Sequence, residues 1–399
     1  MTTEFYRTNR QNLGQKLQGG LVVLGAYSKI QRMSDMAVKF EQEPNFWYLC
    51  GIEYPDWLLI YDGSTNASWL VAPLVDSVHD LFDGSLDAER AKSISGVDHV
   101  VNGDEGTKLL RQLSRKHSVV YAIDQSPHAK YYNFVLNPSI ASTRQKLERI
   151  FTHVRDANKE LNMLRAIKHP EEIVAIKRAI DITCTAFMRV QQTINDFRYE
   201  YEIAAEFDYD FRRKGTMGHA YDPIIASGIN ACTLHYTANT ARMKKPSLIL
   251  MDVGARVDGY AADITRTYAY GNITKRQMAV HTAVERAHEQ IVALLAPGLS
   301  VTAYQSQVDI IMKHALDELG LNSDEASLRR YFPHAISHGL GVDVHDSLGG
   351  PRQFAPGMVL TVEPGIYIPE EAIGVRIEDD ILITEKGYEN LSKKLPTTW

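Results

Sequence analysis

Short, nearly continuous apolar runs alternate with helical patches through about the first 155 residues. Gly20-Leu-Val-Val-Leu-Gly-Ala26, Trp57-Leu-Leu-Ile-Tyr61, Trp69-Leu-Val-Ala72 and Val119-Val-Tyr-Ala-Ile123 read as buried strands, with helices expected over 87–92 and 107–117. That alternation predicts an α/β sheet covered by helices. No Gly-x-Gly-x-x-Gly follows a strand and no phosphate loop occurs, so nothing supports nucleotide binding. From about Leu147 to Lys168 the pattern is charged and helical. His169-Pro170-Glu171-Glu172 then starts a new helix, with Pro at its first position and acids behind it, running to about Val190. The boundary is placed near residue 157, giving an N-terminal α/β domain over 1–157 and a second domain over 158–399. The latter holds helical blocks at 199–214, 275–295 and 302–319, and strands at 221–227, 247–254, 260–268, 358–367 and 374–383. No short-period repeat is present, which excludes a solenoid.

Four of those strands form two candidate hairpins. Ser247-Leu-Ile-Leu-Met-Asp252-Val-Gly254 and Tyr260-Ala-Ala-Asp263-Ile-Thr-Arg-Thr-Tyr268 flank Asp258-Gly259, a strong hairpin dipeptide. With that pair as the loop, Asp252 faces Thr265 and Asp263 is its diagonal neighbour, so both acids share one face. Two carboxylates that close are unfavourable without a cation between them, although exposed acids at strand ends would give the same pattern. Val359-Leu-Thr-Val-Glu363-Pro-Gly-Ile-Tyr367 and Ile373-Gly-Val-Arg376-Ile-Glu378 make the second hairpin, joined through Pro369-Glu-Glu-Ala372. A four-residue loop there sets Glu363 opposite Glu378, and Pro364 within the run predicts an edge or a bulge. Val362 and Ile377 precede the two glutamates, so both should be buried, where an unpaired carboxylate is expensive.

Between the hairpins, Phe332-Pro-His334-Ala-Ile-Ser-His338-Gly-Leu-Gly-Val-Asp-Val-His345-Asp346 gathers three of the chain's 14 histidines within twelve residues. Four carboxylates and an imidazole are a hard ligand set, suited to Mn, Co or Zn and unsuited to a thiolate-bound structural zinc. Two divalent ions cancel the charge of four carboxylates and one ion does not. Two ions per chain are therefore expected, with two of the acids free to bridge them.

Composition narrows the setting. The 399 residues are 44% hydrophobic and 23% charged, with 43 basic and 49 acidic side chains and a formal charge of −6. Disorder, collagen and coiled coil are excluded, and no basic excess invites nucleic acid or an anionic membrane. No apolar run approaches the roughly 18 residues of a membrane helix, and the start, Met1-Thr-Thr-Glu-Phe-Tyr-Arg7, lacks a signal-peptide pattern. Cys50, Cys184 and Cys232 are odd in number and far apart, which fits a reducing compartment. A cytoplasmic enzyme is expected.

The five groups resemble, in order and spacing, the Asp, Asp, His, Glu, Glu dinuclear site of the Xaa-Pro peptidases, aminopeptidase P and prolidase. The resemblance covers about residues 160–395 and, less specifically, the N-terminal domain. It rests on Met251-Asp-Val-Gly, Gly259-Tyr-Ala-Ala-Asp-Ile-Thr-Arg-Thr, His338-Gly-Leu-Gly-Val-Asp-Val-His-Asp, Thr361-Val-Glu-Pro-Gly-Ile-Tyr and Gly374-Val-Arg-Ile-Glu-Asp-Asp. It implies an α/β N-terminal domain before an α+β catalytic domain of the pita-bread (creatinase/aminopeptidase-like) fold. It implies Asp252, Asp263, His338, Glu363 and Glu378 as ligands, with Asp263 and Glu378 spanning two divalent ions, Mn2+ first and Zn2+ or Co2+ as alternatives. By the same motifs His235, Arg376, Tyr221 and Tyr367 are expected at the substrate, and Glu363, His345 and His334 in catalysis. One departure is Ala335, where the family usually has Gly; it touches no ligand.

What the resemblance implies is hydrolysis of the Xaa-Pro bond at the N-terminus of peptides with proline second, by a hydroxide bridging the metals, with Glu363 shuttling the proton. Prolidase, restricted to dipeptides, is the alternative, and a non-catalytic peptide-binding relative a further one. Methionine aminopeptidases resemble the catalytic domain alone, and creatinase lacks the ligands that all stand here. The family pairs through its N-terminal region, so a homodimer is expected. Phe46-Trp-Tyr-Leu49 and Tyr54-Pro-Asp-Trp57 offer an aromatic docking or pocket-rim surface, unless they fill their own domain's core.

Overall fold

A computed structural model describes residues 1–125, 131–322 and 324–399. It divides into two compact units, Met1–Leu164 and Arg165–Trp399. The first unit is built on a six-stranded sheet. Its strands are β1 (Leu21–Gly25), β4 (Leu58–Asp62), β5 (Ala67–Val71), β6 (His99–Val101), β7 (Val119–Ala122) and β8 (His153–Asp156), in the order β6-β5-β4-β1-β7-β8. The chain makes a separate small hairpin from β2 (Gln31–Met33) and β3 (Met36–Ala37). Leu21, Val23, Ile60 and Val120 of the sheet pack against Leu110, Leu113 and Leu147 from the helices Gly103–Leu113 and Pro138–Glu148.

Two expectations need correction here. The stretch 147–168 is not helical throughout: β8 interrupts it, pairing in parallel with β7 at the sheet edge. Exposed on an edge, His153-Val-Arg-Asp156 shows one partly covered apolar residue, too few for alternation to register. The aromatic segment also serves mainly as core, because Phe46, Trp47, Tyr48 and Trp57 are buried inside their own unit. The two units divide seven residues after the position expected from sequence, inside the helix Asn158–Ala166.

In the second unit the helix Pro170–Thr193 begins where expected, with Glu172 accepting the His169 N–H at 2.8 Å. Thr274 and Gln277 cap the helix Lys275–Leu294 reciprocally. That helix and Val301–Glu318 cover an apolar layer of Leu360, Val362, Ile366, Val375, Ile377 and Ile381. The remaining strands are β9 (Ile224–Ser227), β10 (Ser247–Val253), β11 (Arg256–Val257), β12 (Tyr260–Ala261), β13 (Ile264–Tyr270), β14 (Val359–Val362), β15 (Gly365–Ile368), β16 (Ile373–Arg376), β17 (Asp379–Thr384) and β18 (Gly387–Asn390). No helix among the described residues is long and apolar enough to cross a membrane.

Both hairpins keep the register read from sequence, and both are open in the middle. Asp252 pairs with Thr265 in β10–β13, and the same register continues in β11–β12 around Asp258-Gly259, both at positive φ. Between those segments, at Gly254 and Ala262-Asp263, the ladder is interrupted. Likewise β14–β17 and β15–β16 share one register, with Val362 opposite Asp379 and Gly365 opposite Arg376. Glu363 and Glu378 fall in the gap between them. There the Glu378 N–H donates to Thr265 O at 3.0 Å, and the Glu363 N–H to Ile336 O at 3.0 Å. These two bonds tie the second hairpin to the first and to the histidine loop.

Candidate metal centre

Four carboxylates converge because the two openings face each other, and the fifth group arrives from a loop. Residues 338–340 run along the other edge of β14: the Thr361 N–H donates to His338 O, and the Leu340 N–H to Val359 O, both at 3.0 Å. The His338 N–H donates in turn to Thr361 Oγ1 at 3.2 Å. Within 4.8 Å of one another lie ligand atoms of Asp252, Asp263 and Glu378, of His338, Glu363 and Glu378, and of Asp263, His338 and His345. All five residues expected as ligands are thus brought together, with Asp263, His338 and Glu378 each in two of the three groups. His345 is a sixth potential donor.

This donor set suits divalent cations. The His338 Nδ1 lies 3.0 Å from Gly339 O, where a ring proton is satisfied, so Nε2 turns to Asp263 Oδ2 at 3.4 Å and Glu363 Oε1 at 3.5 Å. Such a backbone anchor on the far nitrogen is the usual arrangement for a ligating histidine. Burial would lower this ring, but the Asp263 contact and the charge of Glu363 raise it to about 9. Burial pushes Glu363 up to about 7, Asp252 upward, and Glu378 well above the carboxylate range, with neighbouring carboxylates adding to the effect. Crowded, buried acids that resist ionisation are what cations would relieve. Protein partners relieve it only partly. Arg376 donates to Asp252 Oδ2 at 2.6 Å, Thr265 Oγ1 to Glu378 at 2.6 Å, and the Tyr221 hydroxyl lies 2.5 Å and 2.6 Å from Asp252 and Asp263.

The other expected site residues line this cluster in two groups. Arg376, Tyr367 and His334 form a relay. Arg376 Nη1 donates to the Tyr367 hydroxyl at 2.8 Å, which in turn faces His334 Nε2 at 2.9 Å. Since Tyr367 has one proton and accepts from Arg376, it donates to His334, leaving His334 Nδ1–H for Ala335 O at 2.8 Å. Burial holds that ring low, at about 3, so it is neutral. Arg376 and Tyr221 therefore lie against the candidate ligand carboxylates rather than open to the exterior. His235 and His345 are exposed. The rings of His338 and His345 meet edge to face at 4.4 Å.

Residues 174–385 match the family model for metallopeptidase family M24, and residues 6–121 match that for the aminopeptidase P N-terminal domain. The chain belongs to metallopeptidase family M24. As a member it is a metal-dependent peptidase. It is 34% identical to the Xaa-Pro aminopeptidase of Escherichia coli K12, over 98% of this chain and 94% of that one. With human Xaa-Pro aminopeptidase 3 it shares 31% identity over 91% of its length and 76% of the relative's. The solved structure of E. coli aminopeptidase P with the inhibitor Pro-Leu superposes with a TM-score of 0.86 at 32% identity, covering 99% of this chain and 96% of that one. The two-domain architecture expected from the sequence is therefore the one observed.

Several groups of this M24 peptidase carry no expectation from sequence. Thr265, opposite Asp252 in the register, supports Glu378. Asp380 Oδ2 accepts the Asp263 N–H at 3.1 Å, fixing that residue from behind. Asp346 anchors the loop that carries His345: its buried carboxylate meets Arg165 at 2.9 Å and Lys168 at 3.5 Å. A Cβ on Gly341 would stand 2.1 Å from Asp346 Oδ2, so the glycine makes room for that ion pair. The signal available was the register for Thr265 and the glycine spacing for Asp346. Nothing in the linear order points to Arg165 or Lys168.

Proposed function

We infer that this M24 peptidase is a metal-dependent exopeptidase that hydrolyses the Xaa-Pro bond at the N-terminus of proline-containing peptides. The observation that carries the reading is the intact set of four carboxylates and His338 in two overlapping triads, within a chain alike over nearly its whole length to an Xaa-Pro aminopeptidase. A non-catalytic relative would have no reason to retain all five. Restriction to dipeptides, as in prolidase, has no comparable support.

Asp252, Asp263 and Glu378 would hold one ion, and His338, Glu363 and Glu378 the other, with Asp263 also reaching both. Two divalent ions and the Arg376 guanidinium against four carboxylates would leave one positive charge, which a deprotonated water would balance. Manganese is the favoured ion because the set is dominated by hard oxygens. When bound, such ions lower the pKa of water enough to supply a nucleophile at neutral pH and polarise a carbonyl.

The chain's own groups do the rest. Glu363, beside the attacking water, would hold and release its proton. His345, at the exposed edge of the cluster, donates a hydrogen bond to the scissile carbonyl oxygen as it gains charge. His334 and Tyr367 shape the wall beside Glu363, and His235 holds the peptide around proline. Arg376 and Tyr221 act on that peptide by fixing the ligand carboxylates it meets.

Metal-loaded protein should cleave Ala-Pro-Ala and longer peptides and lose that activity to chelators, with Mn2+ restoring it. Turnover of Ala-Pro alone would convert the reading to a dipeptidase, and no turnover at all to a binding protein. Elemental analysis saturating at one ion per fully active chain would end the dinuclear assignment. A cytoplasmic homodimer completes the proposal. Leu81, Phe82, Phe134 and Val135 of the first unit are exposed apolar side chains that a second copy could cover, which light scattering of the pure protein tests.

A further inference from the structure

The loop that presents His235 hangs on a carboxylate far from it in sequence. Glu200 opens the helix Glu200–Arg213 and is fully buried. Its Oε1 accepts the Ser227 N–H at 2.9 Å, the Ser227 hydroxyl at 2.7 Å and the Asn230 side-chain amide at 3.2 Å. Its Oε2 accepts the Tyr236 hydroxyl at 2.8 Å and the Ala241 N–H at 2.9 Å. The Glu200 N–H answers by donating to Ala241 O at 3.1 Å. All five donors to the carboxylate are neutral. Both carboxylate oxygens are thus fully engaged as acceptors, which is what a buried polar group requires.

The donors mark out one stretch of chain. Ser227 ends β9 just before the loop, Asn230 and Tyr236 lie within it, and Ala241 closes it. His235 is between the two inner donors. Its neighbours Leu234 and Tyr236 pack against a cluster of Ile224, Ala226, Leu250 and Tyr367, while His235 is exposed. Asn239, at positive φ, adds a second brace by accepting the Ile225 N–H and donating to Pro223 O, both at 2.8 Å. The loop is held at both ends and on either side of the histidine by groups outside the carboxylate cluster.

We propose that Glu200 is a positioning residue for Xaa-Pro hydrolysis, setting the place of His235 through the loop 227–241. The proposal rests on the reading of His235 as a substrate contact. Glu200→Gln is the informative change because the amide cannot satisfy both halves of the clamp. With its oxygen toward Ser227, its NH2 opposes the Ala241 N–H; turned over, it opposes the Ser227 N–H. Either way a buried backbone donor is orphaned and one end of the loop is released.

The experiment measures KM, kcat, metal content and melting temperature for wild type, Glu200→Gln, His235→Ala and the double variant, using metal-loaded full-length protein and Ala-Pro-Ala. Glu200→Gln should raise KM about tenfold with a smaller change in kcat and unaltered metal content. Added to His235→Ala, it should change kcat/KM less than about twofold, because the group it positions is already gone. A purely structural role predicts a lower melting temperature with unchanged KM, or a full multiplicative loss in the double variant; either overturns the proposal. If Glu200→Gln does not fold, Tyr236→Phe removes one donor only and should raise KM in the same direction by a smaller factor. A wild-type KM in His235→Ala would remove the reading of His235 and this proposal with it. An impaired His235→Ala beside unimpaired Glu200→Gln and Tyr236→Phe would remove this proposal alone.

Discussion

Glu172 shows how a single buried acid can make stability depend on pH. Burial raises it to about 7, against the pull of Lys168 and the hydrogen bonds from the His169 N–H and Tyr260, while Asp346 pushes it further up. The folded chain keeps this proton up to about pH 7, whereas the unfolded chain releases it near 4.5. Its contribution is therefore complete below pH 4.5 and is lost as pH rises through 7. A Gln at this position can accept from His169 and donate to Tyr260, so it keeps both bonds without the charge. Glu172→Gln should match wild type in urea unfolding near pH 4.5 and exceed it above pH 7 by an amount on the order of 3 kcal/mol. A gap that did not widen with pH would show that Glu172 is neutralised by other means. His345 makes a different residue-scale prediction. His345→Ala should lower kcat about a hundredfold and leave bound metal nearly unchanged if it acts on the substrate, and loss of metal would instead make it a ligand, as its closeness to Asp263 and His338 permits.

At the scale of elements, both hairpin registers were legible because turn chemistry sets them: Asp258-Gly259 in one, Pro369–Ala372 in the other. The openings within those hairpins were not, apart from the hint of Pro364, because the bonds that replace the missing rungs come from segments remote in sequence. The Glu378 N–H goes to Thr265 and the Glu363 N–H to Ile336. Strand β8 was missed for a similar reason, since its partner β7 defines it better than its own residues do. The first opening depends on a glycine. A Cβ on Gly254 would lie 1.7 Å from Ala262 O, far inside contact distance, so Gly254→Ala must separate the strands. Asp252 and Asp263 stand on either side of that point, and the variant should bind divalent metal at least about tenfold more weakly, since such displacement spoils ligand geometry. Isothermal titration of the folded variant checks this; wild-type affinity would mean that the strands can part without moving the acids.

At the scale of the whole molecule, the cluster of candidate ligands was legible from the sequence because each member sits in a motif with its neighbours. Two units could likewise be read from the change in texture, while the aromatic run at 46–57 could not be assigned to core or surface by composition alone. The groups that hold the site in place lie further out than the ligands. Arg266 is buried and donates to Leu395 O and Pro396 O at 2.8 and 2.9 Å, to Glu378 O at 2.7 Å, and to Asp379 at 2.7 Å. Asp346 depends on Arg165 and Lys168. Anyone excising the catalyst for transplantation would be tempted to cut where the family model begins and ends, at 174 and 385. That cut keeps every ligand and discards both sets of anchors. It strands Asp346 as a buried carboxylate without cations, a loss of about 3–5 kcal/mol, and strips Arg266 of two carbonyls. A 174–385 fragment should therefore emerge insoluble or unable to retain metal, while 165–399 should fold and bind it. The portable part of this enzyme is larger than the stretch by which it is recognised, and the excess is made of residues outside the carboxylate and histidine cluster.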